Sequence, residues 1–342
     1  MTKVSTVFLR HSHHSAYSGY PRFTERLGQF VDAHTRRTRL PARLLERASD
    51  RVMYDWFGPE QLRNDVTAAR RLVLGRDEIV HLLYGETDHF YAGRMRRIGR
   101  RRGNRLVATF HQPPSLHEQL LPNPAMFEQL DHTIALGPRA ADYLAGLVGG
   151  AERVSLAFHG IDTDAWHPRP PARAEEPTCA FVGSWFRDFD VLADVIRIVR
   201  HAEPRTRFEL VTGRERAATF RGLPGVRARS GITDAELRRV YWGAWLHVVP
   251  LEDAVANNAL GEGMACGLPT VATDVGDVGY YAGRDAARLV PPGDAEAMAA
   301  AVLELLGDPA ERERMGGRAR AQAAQRDLTA SARRHAEIYR GL

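Results

Sequence analysis

Apolar positions along the chain fall into short runs closed by Gly, Pro or polar residues. Val4 to Leu9, Glu78 to Tyr84, Leu106 to Phe110, Asp131 to Leu136 and Val154 to Phe158 read as buried strands of a first half. Thr178 to Val182, Phe208 to Thr212, Val226 to Arg229, Trp245 to Val249, Thr270 to Thr273 and Ala287 to Val290 repeat the pattern in a second. Stretches of helical period lie between them: Ala42 to Ala48, Glu60 to Leu74, Phe90 to Asn104, Asp190 to His201, Glu296 to Leu306 and Leu328 to Tyr339. Thr233 or Asp234 opens a further helix. Arg169 to Pro177, rich in Pro, Ala and charge, has the composition of a linker. Strands alternating with helices on either side of a linker predict two doubly wound parallel sheets facing a cleft.

Composition bounds this picture without changing it. At 342 residues the chain can build two cores, and 44% hydrophobic with 26% charged residues describes a globular protein. No apolar run approaches a membrane span, and Val4 to Leu9 is shorter than a signal-peptide core. Cys179 and Cys266 fall at a strand start and a helix end, which argues against a disulfide framework, so a cytoplasmic location is expected. The net charge of +5 is carried almost wholly by arginine, Lys3 being the only lysine. Any phosphate-binding cation must therefore be an arginine.

Candidate chemistry concentrates in Val248 to Asp277. A strand stopped by Pro250 leads into a loop carrying Glu252, Asp253, Asn257 and Asn258, either asparagine able to cap the helix from about Ala259 to Cys266. Gly267 and Pro269 end that helix before the next strand. Its first turn is built of small residues, so a ligand can approach the free N–H groups of Asn258, Ala259 and Leu260, an arrangement suited to phosphate. Glu262, one turn in, can accept two hydrogen bonds from vicinal hydroxyls such as those of a ribose. The alternative is an ordinary helix-to-strand turn with a surface glutamate.

The run GEGMACGLPTVATDVGD resembles the nucleotide-sugar site of the family 4 retaining glycosyltransferases, which have the GT-B fold. Their pattern is a Glu, seven residues, a second Glu, then a stretch like AMACGLPVVATDVGG. Glu262 matches the second Glu. The first falls on Ala254, with Glu252 and Asp253 beside it but out of register; the resemblance implies that one of them takes its catalytic place, with Asp253 favoured. Gly183-Ser184-Trp185-Phe186-Arg187 resembles the family's VGR and KG segment, with Ser184 where the Arg stands and Arg187 in the Lys role on the donor diphosphate. A salt bridge from Arg187 to Asp188 or Asp190 is the competing reading.

Further positions follow from the same resemblance. Gly19, in the loop after the first strand, faces donor phosphates or the acceptor; His111, ending its strand, sits beside the transferred sugar; Thr212 closes a strand before Gly213; and Gly231 and Ile232 meet the nucleobase through backbone groups. His159 to Pro168 resembles the family's interdomain segment NGVDTDxFxP. The domains expected are residues 1–168 for the acceptor, a linker 169–177, residues 178–326 for the nucleotide sugar, and a helix in 327–342 crossing back to the first domain. The implied activity is glycosyl transfer from a nucleotide diphosphate sugar with retention, needing no metal or other cofactor. A shell that binds such a donor without turnover is the alternative.

Two clusters remain. His11, His13 and His14 read as polar lining of a cleft in preference to a metal site, no second group of ligands being near in sequence. Arg94, Arg96, Arg97, Arg100, Arg101 and Arg102 fan out from a helix whose other stripe is Tyr91, Met95 and Ile98. A solvated helix face, peripheral contact with an anionic membrane surface or lipid-linked acceptor, and nucleic acid compete for that stretch; nucleic acid is not expected, for want of interleaved aromatics.

Overall fold

The computed structural model describes residues 1–8, 17, 19–49, 57–120, 125–169 and 173–342. The chain divides into two compact units, Met1–Gly160 with Leu328–Leu342, and Ile161–Asp327. Each is built on a six-stranded parallel sheet.

In the first unit the strands are β1 (Lys3–Val7), β2 (Asp32–Thr35), β3 (Glu78–Leu82), β4 (Arg105–Phe110), β5 (His132–Ala135) and β6 (Val154–Leu156), in the spatial order β2-β1-β3-β4-β5-β6. In the second they are β7 (Thr178–Val182), β8 (Arg207–Val211), β9 (Val226–Arg229), β10 (Leu246–Val249), β11 (Thr270–Thr273) and β12 (Ala287–Val290), in the order β12-β11-β10-β7-β8-β9. The direction of winding reverses between β1 and β3 in one sheet and between β7 and β10 in the other. Ligands of open α/β sheets sit outside the carboxyl ends of the strands at such reversals.

The main hydrophobic cluster of the second unit joins its sheet to two helices. Phe181, Phe208, Leu246, Val248 and Val271 on the sheet meet Leu192, Val195, Val302 and Leu305 on the helices Phe189–Ala202 and Ala295–Gly307. The first unit mixes polar groups into its sheet. Val4, Ile79, Val107 and Ile134 pack against Phe23 and Leu27 of the helix Tyr20–Leu27 and Ala332, Ala336 and Tyr339 of the helix Leu328–Arg340. On β3, however, buried His81 pairs through Nδ1 with the Tyr339 hydroxyl at 2.6 Å and through Nε2 with Thr109 Oγ1 at 2.8 Å. Burial, with three neighbouring histidines, pushes the His81 imidazole well below its ordinary pKa.

Four details depart from the sequence reading. First, β2 was not anticipated because Asp-Ala-His-Thr has no apolar run; it is an edge strand paired only with β1. Second, Phe90 to Asn104 is not one helix but a 3-10 turn, Ala92–Met95, followed by Arg96–Arg101. Asp65 explains the late start: its buried carboxylate accepts the backbone N–H groups of Phe90, Tyr91 and Ala92, just where the 3-10 turn begins. Third, unit 2 begins at Ile161, ahead of residue 168, because Trp166 is fully buried edge-on against Tyr241 and its carbonyl accepts from Arg320. Fourth, the described part of 169–177 is not a free tether. Ala174 N–H donates to Gly243 O at 2.9 Å, and Trp245 Nε1 donates to Ala174 O at 2.8 Å.

The arginine stretch is partly spent on the fold. Arg96 and Arg100 both reach Asp131 Oδ1, at 2.7 and 2.5 Å, and Arg102 donates to the carbonyls of Leu74 and Gly75. Arg94 lies over the Tyr91 ring. Arg97 and Arg101 are exposed, as are Ile98 at 44% and Leu74 at 59%.

Candidate donor site and its surroundings

At the reversal in the second sheet, two loops leave adjacent strands and pair with each other. Asp188 N–H donates to Pro250 O at 3.2 Å and Glu252 N–H to Phe186 O at 3.0 Å, with a bridge between Arg187 and Leu251. Phe186 takes a left-handed conformation, φ 51°, which turns Arg187 back toward the sheet. Its guanidinium lies over Gly183, φ +113°, where a Cβ would run into the Arg187 side chain. Gly183 is therefore required twice, by its conformation and by the cation above it.

Arg187 is buried and donates to Val182 O at 3.1 Å, Trp185 O at 2.9 Å and Asn257 Oδ1 at 3.2 Å. No carboxylate among the described residues lies within ion-pair distance of it. Asp188, the competing partner, instead caps the helix Phe189–Ala202 by accepting Val191 N–H at 2.9 Å. Burial pulls the Arg187 pKa down to about 10, against the attraction of Tyr241 and Glu262. A guanidinium remains charged there, so among the described residues the buried cation is bonded to no carboxylate and has only the longer-range attraction of Glu262.

The helix Asn258–Ala265 begins beside this cation. Asn257 is its cap: Oδ1 accepts Leu260 N–H at 3.0 Å while also receiving Arg187. The amide of Leu260 is thus spent on the cap, which leaves those of Asn258 and Ala259 as the helix's open donors. Glu262 is buried on this helix, and Oε2 accepts the Tyr241 hydroxyl at 3.0 Å. Burial first, then the nearby Glu262, raises the Tyr241 phenol well above its ordinary pKa, so it stays a donor. Behind them His247 is fully buried, and a Cβ on Gly263 would strike its ring.

The other expected positions divide clearly. Ser184 Oγ accepts Gly213 N–H at 2.8 Å and lies 3.0 Å from Thr212 Oγ1, so it ties the ends of β7 and β8 together. Gly231 and Ile232 follow β9 just ahead of Thr233, whose hydroxyl accepts Glu236 N–H in a capping box on Asp234–Gly243. Ala254 is buried, with its carbonyl bound by Asp277 N–H. Asp253 Oδ1 accepts Ala254 N–H at 2.8 Å, whereas Glu252 is exposed.

Gly19 and His111 belong to the first unit. Gly19 precedes the helix Tyr20–Leu27, and His111 follows β4 with Nε2 2.5 Å from the Tyr20 hydroxyl. His11, His13 and His14 lie outside the described residues, and among the described ones no three His, Cys, Asp or Glu gather as a metal site. Sequence reasoning missed Tyr241, Tyr20 and Glu86, and of the two asparagines it offered as the cap the structure uses Asn257. Only the Asn257-Asn258 pair gave a signal.

Volume does not locate this site. A cavity of about 740 Å³ is lined by Thr178, Phe208 and Val226, at the amino ends of β7, β8 and β9, away from Arg187.

Of the comparisons with known proteins, the family model falls on this same unit. Residues 176–308 match the family model of the glycosyl transferases group 1. An MMP alpha-(1->4)-mannosyltransferase of Mycolicibacterium hassiacum is 29% identical over 202 residues, covering 54% of this chain and 47% of that protein, so the match spans about half the length of that relative. A sucrose-phosphate synthase from Thermosynechococcus elongatus superposes with a TM-score of 0.73 at 20% identity, over 100% of this chain and 99% of the other. The Anabaena HepE protein, solved with UDP, gives 0.67 at 15% identity over 83% of each chain. The GT-B fold class and the resemblance to group 1 glycosyltransferases are borne out, the latter over 176–308.

Proposed function

We propose that this chain, built on the group 1 glycosyltransferase framework, moves a sugar from a nucleotide diphosphate sugar to a hydroxyl acceptor in the cytoplasm, with retention and without a metal. The observation that carries this reading is the buried Arg187, bonded to no carboxylate and set beside the amide donors of Asn258 and Ala259. A diphosphate would supply the missing counter-charge. Its negative charge grows as the glycosidic bond breaks, so these donors act more strongly on the transition state than on the bound donor. Glu262, oriented by Tyr241, would take the ribose hydroxyls. Gly183 lets the phosphates approach, Thr212 lines the donor site, and backbone groups at Gly231 and Ile232 meet the base. Gly19 and His111 serve the transferred sugar and acceptor.

The place of the missing glutamate falls to Asp253 or Glu252. Asp253→Asn or Glu252→Gln, whichever removes that group, should lower kcat by about two to three orders of magnitude. Near wild-type rates in both would show that neither carboxylate has that role. One observation favours a second reading, a donor-binding shell without turnover: Asp253 is already bonded to the Ala254 amide. Calorimetry with UDP, GDP, ADP and dTDP, followed by diphosphate release from the matching sugar donors, separates the two. Release that survives EDTA is expected; binding without release favours the shell, and no binding overturns both.

Peripheral contact with anionic lipid belongs to the same proposal. It is supported by exposed Arg97 and Arg101 next to exposed Ile98. Cosedimentation with phosphatidylglycerol vesicles, absent with phosphatidylcholine, is the expected result; equal partition to both sinks it.

A further inference from the structure

The reversal in the first sheet, between β1 and β3, buries a carboxylate that the donor reading does not use. Glu86 lies in the short turn Gly85–Asp88 after β3 and is buried. A Cβ on Gly85 would come within 2.8 Å of the Phe110 ring and 2.9 Å of Ala108 Cβ, so only glycine lets this turn lie against the end of β4. That close approach brings Glu86 to His111. Glu86 Oε1 accepts the backbone N–H of His111 at 2.9 Å and sits 3.6 Å from Nδ1 of the same residue. On the opposite edge of the ring, Nε2 is 2.5 Å from the hydroxyl of buried Tyr20. The Tyr84 ring tilts over the imidazole with centroids 4.8 Å apart.

A carboxylate facing Nδ1 favours the tautomer with its proton there, which leaves Nε2 a lone pair to accept from a hydroxyl. Burial would raise the Glu86 carboxyl, but the attraction and bonding of His111, with His117 behind it, outweigh burial and hold it below its ordinary pKa. It is therefore charged near neutrality. Asp88, also buried, is turned away onto Asn64 Nδ2 at 3.0 Å and is raised by its burial, so it does not compete for the ring.

We propose that Glu86 is a positioning residue: its carboxylate fixes the proton of His111 on Nδ1 and, with Tyr20, holds the imidazole in one orientation, Nε2 presented to a hydroxyl donor. In the ligand-free protein that donor is Tyr20, and in turnover it is a sugar or acceptor hydroxyl. The inference rests on the reading that His111 serves glycosyl transfer, but its first test does not.

The full chain labelled with 15N-histidine gives the ring nitrogens directly, His111 being assigned by the signals lost in His111→Asn. The wild type is expected to show His111 with Nδ1 protonated. Glu86→Gln, nearly isosteric, should shift it toward the other tautomer, and Glu86→Asp should restore it. An unchanged tautomer in Glu86→Gln, with or without a fall in Tm, overturns the proposal and leaves Glu86 a packing group. The second test uses diphosphate release from whichever of UDP-, GDP-, ADP- and dTDP-glucose is turned over fastest. Glu86→Gln should lower kcat on the order of ten- to a hundred-fold, as expected for removing the charge from a carboxylate that bonds the His111 amide and faces its ring, with the donor Kd unchanged. A moved tautomer with undiminished kcat overturns the catalytic part. No turnover by the wild type counts against the function proposed above, and the tautomer then decides the role of Glu86 alone.

Discussion

The two sheets have the same strand number and the same parallel pairing, yet the loops at their reversal points bury different charged groups. At β7 and β10 the buried group is the cation Arg187, with carbonyls and an amide oxygen for partners. At β1 and β3 it is the anion Glu86, with an imidazole beside it. A doubly wound sheet supplies a place for a ligand but not its sign. The loops decide which charged groups are buried there, and at β7 and β10 the buried Arg187 marks the candidate site where cavity volume does not.

The strongest way to break this comparison is to remove the cation. Arg187→Met should lower turnover by about a hundred- to a thousand-fold, the loss typical of a transition-state charge donor. It should leave Tm unchanged or higher, because an unpaired buried charge is no source of stability. A normal kcat with a lowered Tm would make Arg187 a structural clamp. Glu262→Ala should weaken nucleotide binding by about ten- to a hundred-fold, equivalent to roughly 1.5–3 kcal/mol, measured by calorimetry. Tyr241→Phe keeps the ring and its packing but takes the donor from Glu262. About a five-fold loss of affinity is expected from one bond of roughly 1 kcal/mol, and no change would detach Tyr241 from the site.

The smallest effect concerns acid. Burial pulls His335 down to about 4, and His81 is lowered as well, whereas an unfolded histidine takes its proton near 6.5. The unfolded segment then binds protons that the fold excludes, so the stabilisation is intact above about 6.5 and is lost as pH falls through about 4. Asp65 acts in the opposite sense. Burial, outweighing its backbone bonds and Arg94, raises it to about 6, so its contribution is lost as pH rises through that value. The two are separable by place. Hydrogen exchange in Leu328–Arg340, corrected for intrinsic rates, should accelerate modestly between pH 7 and 5 relative to Phe189–Ala202; equal protection would show that the polar interior of the first unit carries no acid sensitivity.

The same contrast explains what could be read in advance. In the second unit, apolar strands and a motif coincide, and Thr178–Val182, Val226–Arg229, Thr270–Thr273 and Ala287–Val290 have the bounds their runs predicted. Glu262 and Arg187 could be named as candidates because chemistry and spacing agree within one stretch each, and both are buried at the same reversal. Tyr241 was not, since it reaches Glu262 from a different helix and looks like any core aromatic. In the first unit the polar residues that matter interrupt the pattern. His81 sits inside a buried strand, Glu86 inside a turn, and Asp65 fixes the start of a helical turn from a distance in sequence. Such bonds between remote residues leave no period behind.

The division of the chain has a consequence for its history as a polymer. Ile161–Asp327 is continuous, whereas the first unit is closed by Leu328–Leu342 on the far side of it. The two ends of the continuous piece lie together, with Ile161 N–H donating to Arg326 O at 3.1 Å and a parallel bridge from Ile161 to Asp327. The second unit is in effect an insertion whose ends are already joined, the kind of segment that can fold by itself. During synthesis Met1–Gly160 precedes the second unit but lacks its last helix until Leu328–Leu342 has followed, so the second unit is complete in sequence before the first. Until Tyr339 arrives, His81 keeps Thr109 at Nε2 but has no hydroxyl at Nδ1, and the nascent first unit carries that nitrogen as an open polar site.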